Sequence, residues 1–339
     1  MLSRLVLATV LILGLLPGAR AADREVGLRR LAAAVGERGA TVAVDLWYPA
    51  GAGGEPVRQG ATPVFEGVAA LRNAPAAEGR FPVVLLAHGG LRSNPDLAGW
   101  IAAGLAAQGA IVVMPRSPAA RPGPGALDEA RLRPADLRAA LDAVETDPDV
   151  AAHRASGRVV AVGFFLGGTS ALALAGARLD AQAYRRSCDP PAAGPDCSWF
   201  AAQGLDLHAA IDDRVGDPAR DPRIAAVIAV DPELTGSLAP ASLKEIAVPV
   251  TLVRLGPATG AALADVPEDA LAGIPALRRV GIAGATPFAA FGRCTPRGAA
   301  LLVEEGEDDA ICREGAGLSR AELQAGMARL IGAAVASAP

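Results

Sequence analysis

Lysine is almost missing from this chain. Lys244 is the only one, and the other basic residues are arginines; the 32 basic residues are scattered among 36 acids, for a net charge of −4. No basic stripe forms, which argues against a nucleic-acid-binding surface. Beyond the first residues, no apolar run reaches the roughly 20 residues that a membrane-spanning helix needs. Histidine is scarce, at His88, His153 and His208 only. None of the three lies near a cysteine and no cysteine spacing matches a zinc pattern, so no metal is expected. No cofactor is implied and no internal repeat is visible.

What is present begins with an export signal. Arg4 supplies a basic start, residues 5–16 an apolar stretch of roughly a dozen residues, and Ala19-Arg20-Ala21 a small-residue cleavage site. Residues 1–21 therefore read as a signal peptide, and the protein as periplasmic or secreted with no transmembrane segment in its mature chain. The remainder, 22–339, is long enough for a large core and reads as one domain. An oxidising compartment lets disulfides persist. Four cysteines allow three connectivities, of which the simplest is local pairing, Cys188 with Cys197 and Cys294 with Cys312.

Residues 42–48 (VAVDLWY) alternate like a half-buried strand and stop at Pro49. Residues 81–90 (FPVVLLAHGG) form a continuous apolar run, too short for a typical helix, that reads as a strand buried on both faces. A helix over 97–105, a strand over 111–115 and a helix starting near Pro134 follow, the last with Leu137, Leu141 and Val144 on one face. Residues 158–164 (RVVAVGF) take the central strand. Residues 184–223 lack a clear period and read as an irregular insertion or lid. Strands are expected over 224–234, 248–256 and 278–284. Ser319 and Glu322 have the spacing of a capping box for a last helix lined by Leu323, Met327 and Leu330. Alternating strands and helices of this length predict an α/β fold with a mostly parallel sheet flanked by helices.

Residues 160–170 (VAVGFFLGGTS) outline a strand that ends in a sharp turn and opens a helix. A G-x-S-x-G nucleophile elbow has this form, but its serine position is Phe165. Together with LWYPA (46–50), RPADLRAALDAV (133–144) and GATPFAAFGRCTP (284–296), the ordered motifs resemble those of the α/β-hydrolases. Within that fold the chain looks like the bacterial dienelactone-hydrolase-like proteins related to platelet-activating-factor acetylhydrolase.

The resemblance implies a Ser-Asp-His triad for ester or lactone hydrolysis, in which an imidazole activates a hydroxyl and a carboxylate holds the imidazole. Carried over residue by residue, the nucleophile position is Phe165 and the histidine position Pro287. The acid position falls near Thr259, beside Ala258, with Asp265 displaced. No histidine follows the last strands, where the Ser-acid-His order requires one. The family's oxyanion donors are backbone amides, here of Gly90 and Leu166. His88 belongs to the AHGG turn. Ser170 points away from the elbow, and Ser93 has no visible activating base.

The reading is thus an exported family member without an intact triad, a pseudoenzyme that binds a small apolar ligand or a protein partner through the old cleft or lid. The alternative is a carboxylic ester or lactone hydrolase that uses displaced groups such as Asp265 or His208. The Phe165 ring is expected to fill the former acyl pocket beside Phe164 and Phe288, unless the strained turn relaxes.

Overall fold

The structure is a computed structural model; it describes residues 24–157, 159–190, 196–256, 269, 271–313 and 317–338. The signal segment 1–21 lies outside these residues. The strands are β1 (Val26–Val35), β2 (Ala40–Pro49), β3 (Glu55–Gln59), β4 (Val68–Arg72), β5 (Val83–Ala87), β6 (Ile111–Pro115), β7 (Val159–Phe164), β8 (Ile224–Val230), β9 (Val250–Arg254) and β10 (Leu277–Gly281). They form one sheet in the order β10-β9-β8-β7-β5-β6-β2-β1-β4-β3. From β6 to β10 all neighbours are parallel, while β2 runs antiparallel to both β6 and β1.

The helices are α1 (Gly99–Ala107), α2 (Glu129–Glu145), α3 (Pro148–His153), α4 (Leu166–Ala175), α5 (Ala181–Arg185), α6 (Cys197–Ala202), α7 (Leu207–Ala210), α8 (Pro240–Lys244), α9 (Gly298–Glu304) and α10 (Arg320–Ala336). Helices cover both faces of the sheet, so the central strands are apolar at every position. In β5, Val83, Leu85 and Ala87 join Leu137 and Leu141 of α2 and Leu172 of α4 in one cluster. Val84 and Leu86 join Ile101 of α1 and Met327 and Ile331 of α10 in the other. The strand's two-residue period thus feeds two cores from one run.

Several boundaries differ from the sequence reading. Helix α2 begins at Glu129, and Pro134 lies inside it instead of opening it. The proline ring removes only the bond to the Ala130 carbonyl, and the helix carries it because Leu137, Leu141 and Val144 are buried beyond it. Strands β1, β3 and β4 extend the sheet past β2, where only β2 is legible in the sequence. β1 carries Arg29 and Arg30, whose guanidiniums reach Asp147 at 2.7 Å and Asp45 at 2.7 Å. The charges obscure the alternation of a strand until their partners are in place. Among the described residues of the segment 184–223 the chain makes only short helices, and β8 starts at Ile224.

Both local disulfides are formed, Cys188–Cys197 and Cys294–Cys312. The capping box of α10 is complete, with the Ser319 side chain accepting from the Glu322 amide and the Glu322 carboxylate accepting from the Ser319 amide. Among the described residues no helix is long and apolar enough to cross a membrane.

Candidate functional site

The elbow between β7 and α4 is built by glycines. A Cβ on Gly163 would stand 2.0 Å from the Gly167 carbonyl oxygen, and one on Gly167 would stand 2.3 Å from that of Ala87. Both contacts are with backbone, so neither position admits a side chain. This close approach of strand and helix forces the intervening residue outward. Phe165 accordingly sits at φ 53°, ψ −122°. That region favours glycine and costs a side-chain-bearing residue about 1–3 kcal/mol. The turn has not relaxed.

The Phe165 ring is buried and stacks on Phe291, with centroids 5.6 Å apart and planes 17° apart. The stacking partner is therefore Phe291, whereas the sequence pointed to Phe288. Phe164 alternates to the same core and meets His88 and Trp100 at 5.5 and 6.0 Å. Phe291 ends the short turn 287–290, so the loop of the histidine position does reach the elbow. Pro287 is buried at the first position of that turn. Thr259, Ala258 and Asp265 lie outside the described residues.

The histidines are dispersed. His88 is half-buried, and its Nε2 lies 3.2 Å from the Ala290 carbonyl oxygen, which also accepts from Trp100 Nε1 at 2.8 Å. A carbonyl only accepts, so Nε2 carries the proton. Burial lowers the His88 pKa to about 4, with Arg133 adding to the effect against the Ala290 bond, and the ring is neutral at pH 7. His153 ends α3 beside Gly79, at the amino ends of the parallel strands and away from the elbow. His208 is exposed on α7, with Nε2 2.8 Å from Asp189. The candidate hydroxyls are engaged locally: Ser170 donates to the Leu166 carbonyl at 2.9 Å and Ser93 to that of Gly90 at 3.0 Å.

Two carboxylates at the site were missed by the sequence reading. Asp231 directly follows β8, next to the elbow strand, at φ 40°, and its Oδ1 accepts the Leu255 amide at 3.2 Å. Glu233, two residues on, folds back over the elbow. Its amide donates to the Phe165 carbonyl at 3.2 Å and its carbonyl accepts from the Thr169 hydroxyl. Its Oε1 stands 3.0 Å from where a Cβ on Gly90 would be. It thus lies beside Gly90, named above as an oxyanion donor. Burial raises the Glu233 pKa to about 8, with Asp196 adding; Arg133, Arg92 and the Leu166 amide act in the opposite sense. The only trace of this in the sequence is two acids closing an otherwise apolar strand, in AVDPEL.

Around this point the loop after β5 is held from two sides. Buried Arg133 donates to the Gly89 and Leu91 carbonyls at 3.1 and 3.0 Å. Arg92 pairs with Asp196 at 3.0 Å and lies over the Trp199 ring at 5.6 Å, tying the disulfide-bonded turn to the loop. A cavity of about 470 Å³ opens elsewhere, at the amino ends of the strands, lined by Leu46, Tyr48, Ile111, Val150, Arg29 and His153 among others.

This sheet order, elbow and helical flanking define the α/β-hydrolase fold. The chain is similar to a ferulic acid esterase from Streptomyces cinnamoneus, at 17% identity and a TM-score of 0.55 over 95% of this chain and 92% of that one. It is also similar to a dienelactone hydrolase from Anabaena variabilis, at 15% identity and a TM-score of 0.44 over 84% of this chain and 96% of that one. No protein-family model and no curated protein matches the chain.

Proposed function

We propose that this protein is an exported, non-catalytic relative of the dienelactone-hydrolase-like esterases that binds a small apolar ligand or a protein partner. The observation that carries the reading is the Phe165–Phe291 stack, which puts an aromatic pair where the elbow of a hydrolase presents its nucleophile. Supporting it, Pro287 offers no proton-transferring group, the Nε2 of neutral His88 is spent on Ala290, and Ser93 and Ser170 bond to nearby carbonyls. The export reading draws on the N-terminal segment and on the two disulfides. Room for a small apolar ligand is offered by the cavity of about 470 Å³, within the usual range for such sites.

A second reading, ester or lactone hydrolysis by displaced groups, is favoured by strained Asp231 beside the elbow and by the His208–Asp189 pair. One experiment separates the two. The purified mature protein is assayed on short-chain chromogenic esters and exposed to a fluorophosphonate probe, with Phe165→Ser alongside. Turnover no higher than that of an inert protein, and no labelled residue, is the expected outcome. Phe165→Ser restores a hydroxyl without an imidazole and is expected to stay at background. Specific turnover with a labelled residue in the wild-type chain overturns the non-catalytic reading and locates the nucleophile.

A further inference from the structure

We propose that the cavity of about 470 Å³ at the amino ends of the strands binds a small apolar amine, its hydrocarbon body held between β2, β6 and α3 and its ammonium group at Asp149. The proposal deepens the ligand-binding reading above and rests on it, and it places that ligand away from the elbow.

The walls are preformed and apolar. Leu46 of β2, Ile111 of β6 and Val150 of α3 are buried side chains without a polar atom. Tyr48 adds its ring, because its hydroxyl is already spent on the Ala74 carbonyl at 2.6 Å. Opposite it in the β1–β2 register is Gly27, where a Cβ would stand 2.4 Å from Tyr48 Cε2. Glycine there lets the ring lie against β1. Such walls favour a hydrocarbon or aromatic body, which gains by leaving water.

The mouth selects the charge of the ligand. Arg29 reaches in from β1, and both of its terminal nitrogens face carboxylates: Nη2 meets Asp147 at 2.7 Å and Nη1 meets Asp149 at 2.5 Å. Asp147 also accepts the Asp149 and Val150 amides as the cap of α3. One guanidinium facing two carboxylates leaves an excess of negative charge and no free fork of donors for an incoming anion. Asp149 carries that excess outward. Its side chain is 73% exposed, and its Oδ1 has no partner among the described residues. His153, four residues further along α3, lines the same cavity. Its Nδ1 lies 3.3 Å from the Gly79 carbonyl, which only accepts, so Nε2 is left as an acceptor in the neutral ring. Two acceptors at the rim of an apolar cavity suit a donor on an apolar body, and an ammonium gains most from the charge of Asp149. Of the neighbouring cations, Arg80 donates to the Arg154 carbonyl and Arg154 pairs with Glu145; neither lines the cavity.

The test uses the mature chain at pH 7.5 and low ionic strength, with three probes that share one ring: benzylamine, protonated there as a lysine ammonium is, benzyl alcohol and benzoate. Binding is followed by NMR through the amide shifts of Ala76, Ile111 and Val150. Benzylamine is expected to bind about two- to fivefold more tightly than benzyl alcohol, the span of a partly exposed ion pair, and benzoate more weakly than either. Added sodium chloride is expected to narrow the preference. Asp149→Asn keeps the cavity and removes the charge, so amine and alcohol are expected to bind it equally. Ala76→Phe fills the cavity and is expected to lose both. Alcohol bound as tightly as amine by the wild type, or an amine preference that survives Asp149→Asn, overturns the proposal and leaves the apolar cavity to the reading above. Should Ala76→Phe fail to fold, the wild-type shifts decide: lining amides that no probe moves overturn the proposal and remove the cavity from that reading as well. Ester turnover by the wild type would sink the non-catalytic reading without altering the amine preference.

Discussion

Phe165 and Phe291 are 126 residues apart in number and stack with centroids 5.6 Å apart at the point where the elbow turns. Phe165 does so from a backbone conformation in which a side chain is strained. The strain is offset by burial of the ring, and the two terms have separable signatures.

Phe165→Ala is expected to cost about 3–5 kcal/mol of unfolding free energy, as deletion of a buried phenylalanine does. Phe165→Gly removes slightly more side chain and yet is expected to be the milder change, because glycine recovers about 1–3 kcal/mol of backbone strain. A double-mutant cycle of Phe165→Ala with Phe291→Ala is expected to show coupling of about 0.5–1.5 kcal/mol. Denaturant unfolding of wild type and the four variants measures all of this; Phe165→Gly less stable than Phe165→Ala would refute the strained elbow.

The buried titrating groups set a pH dependence with a definite sign. Glu233, raised from 4.5 to about 8, holds its proton in the folded chain while the unfolded chain releases it. Its contribution is fully present below about pH 4.5 and is lost as pH rises to about 8. His88, lowered from 6.5 to about 4, acts the other way: its contribution is present above pH 6.5 and is lost as pH falls through about 4. Between these two groups the effects oppose each other up to pH 6.5, and above it Glu233 acts alone. From pH 6.5 to 8 the wild type is therefore expected to lose stability by up to about 1.4 kcal/mol per pH unit. Glu233→Gln should be flat over that interval. Urea midpoints measured at half-unit pH steps give the answer, and an equal slope in both proteins counts against the buried carboxyl.

The two disulfides close loops of different size, with sequence separations of 9 and 18. Loop-closure entropy assigns about 2.6 kcal/mol to Cys188–Cys197 and about 3.2 kcal/mol to Cys294–Cys312. Paired Cys→Ser replacements, compared by thermal unfolding, are expected to destabilise in that order. Loss of Cys188–Cys197 should further loosen the turn that Arg92 holds through Asp196 and Trp199, read as faster proteolysis near residue 196.

Much of the framework follows from local order in the chain. Strands β5 to β9 are legible because each is buried on both faces and so is apolar at nearly every position. The elbow glycines, the capping box at Ser319 and Glu322, and the cysteine pairs are legible because each is a short-range device. Residue identity alone also shows that positions 165 and 287 carry no nucleophile and no base, whatever surrounds them. What the sequence leaves open is every relation between distant segments. Arg29 and Arg30 obscure β1 until Asp147 and Asp45 are brought to them, and α2 runs through Pro134 because tertiary burial outweighs one missing hydrogen bond. Phe291 instead of Phe288 meets the elbow ring because the turn at 287–290 decides which aromatic faces inward. Glu233 meets the elbow only because β8 lies beside β7 and its continuation folds back across α4. Periodicity reports which residues are buried; which buried groups touch, and with what charge, is settled by packing across the sheet.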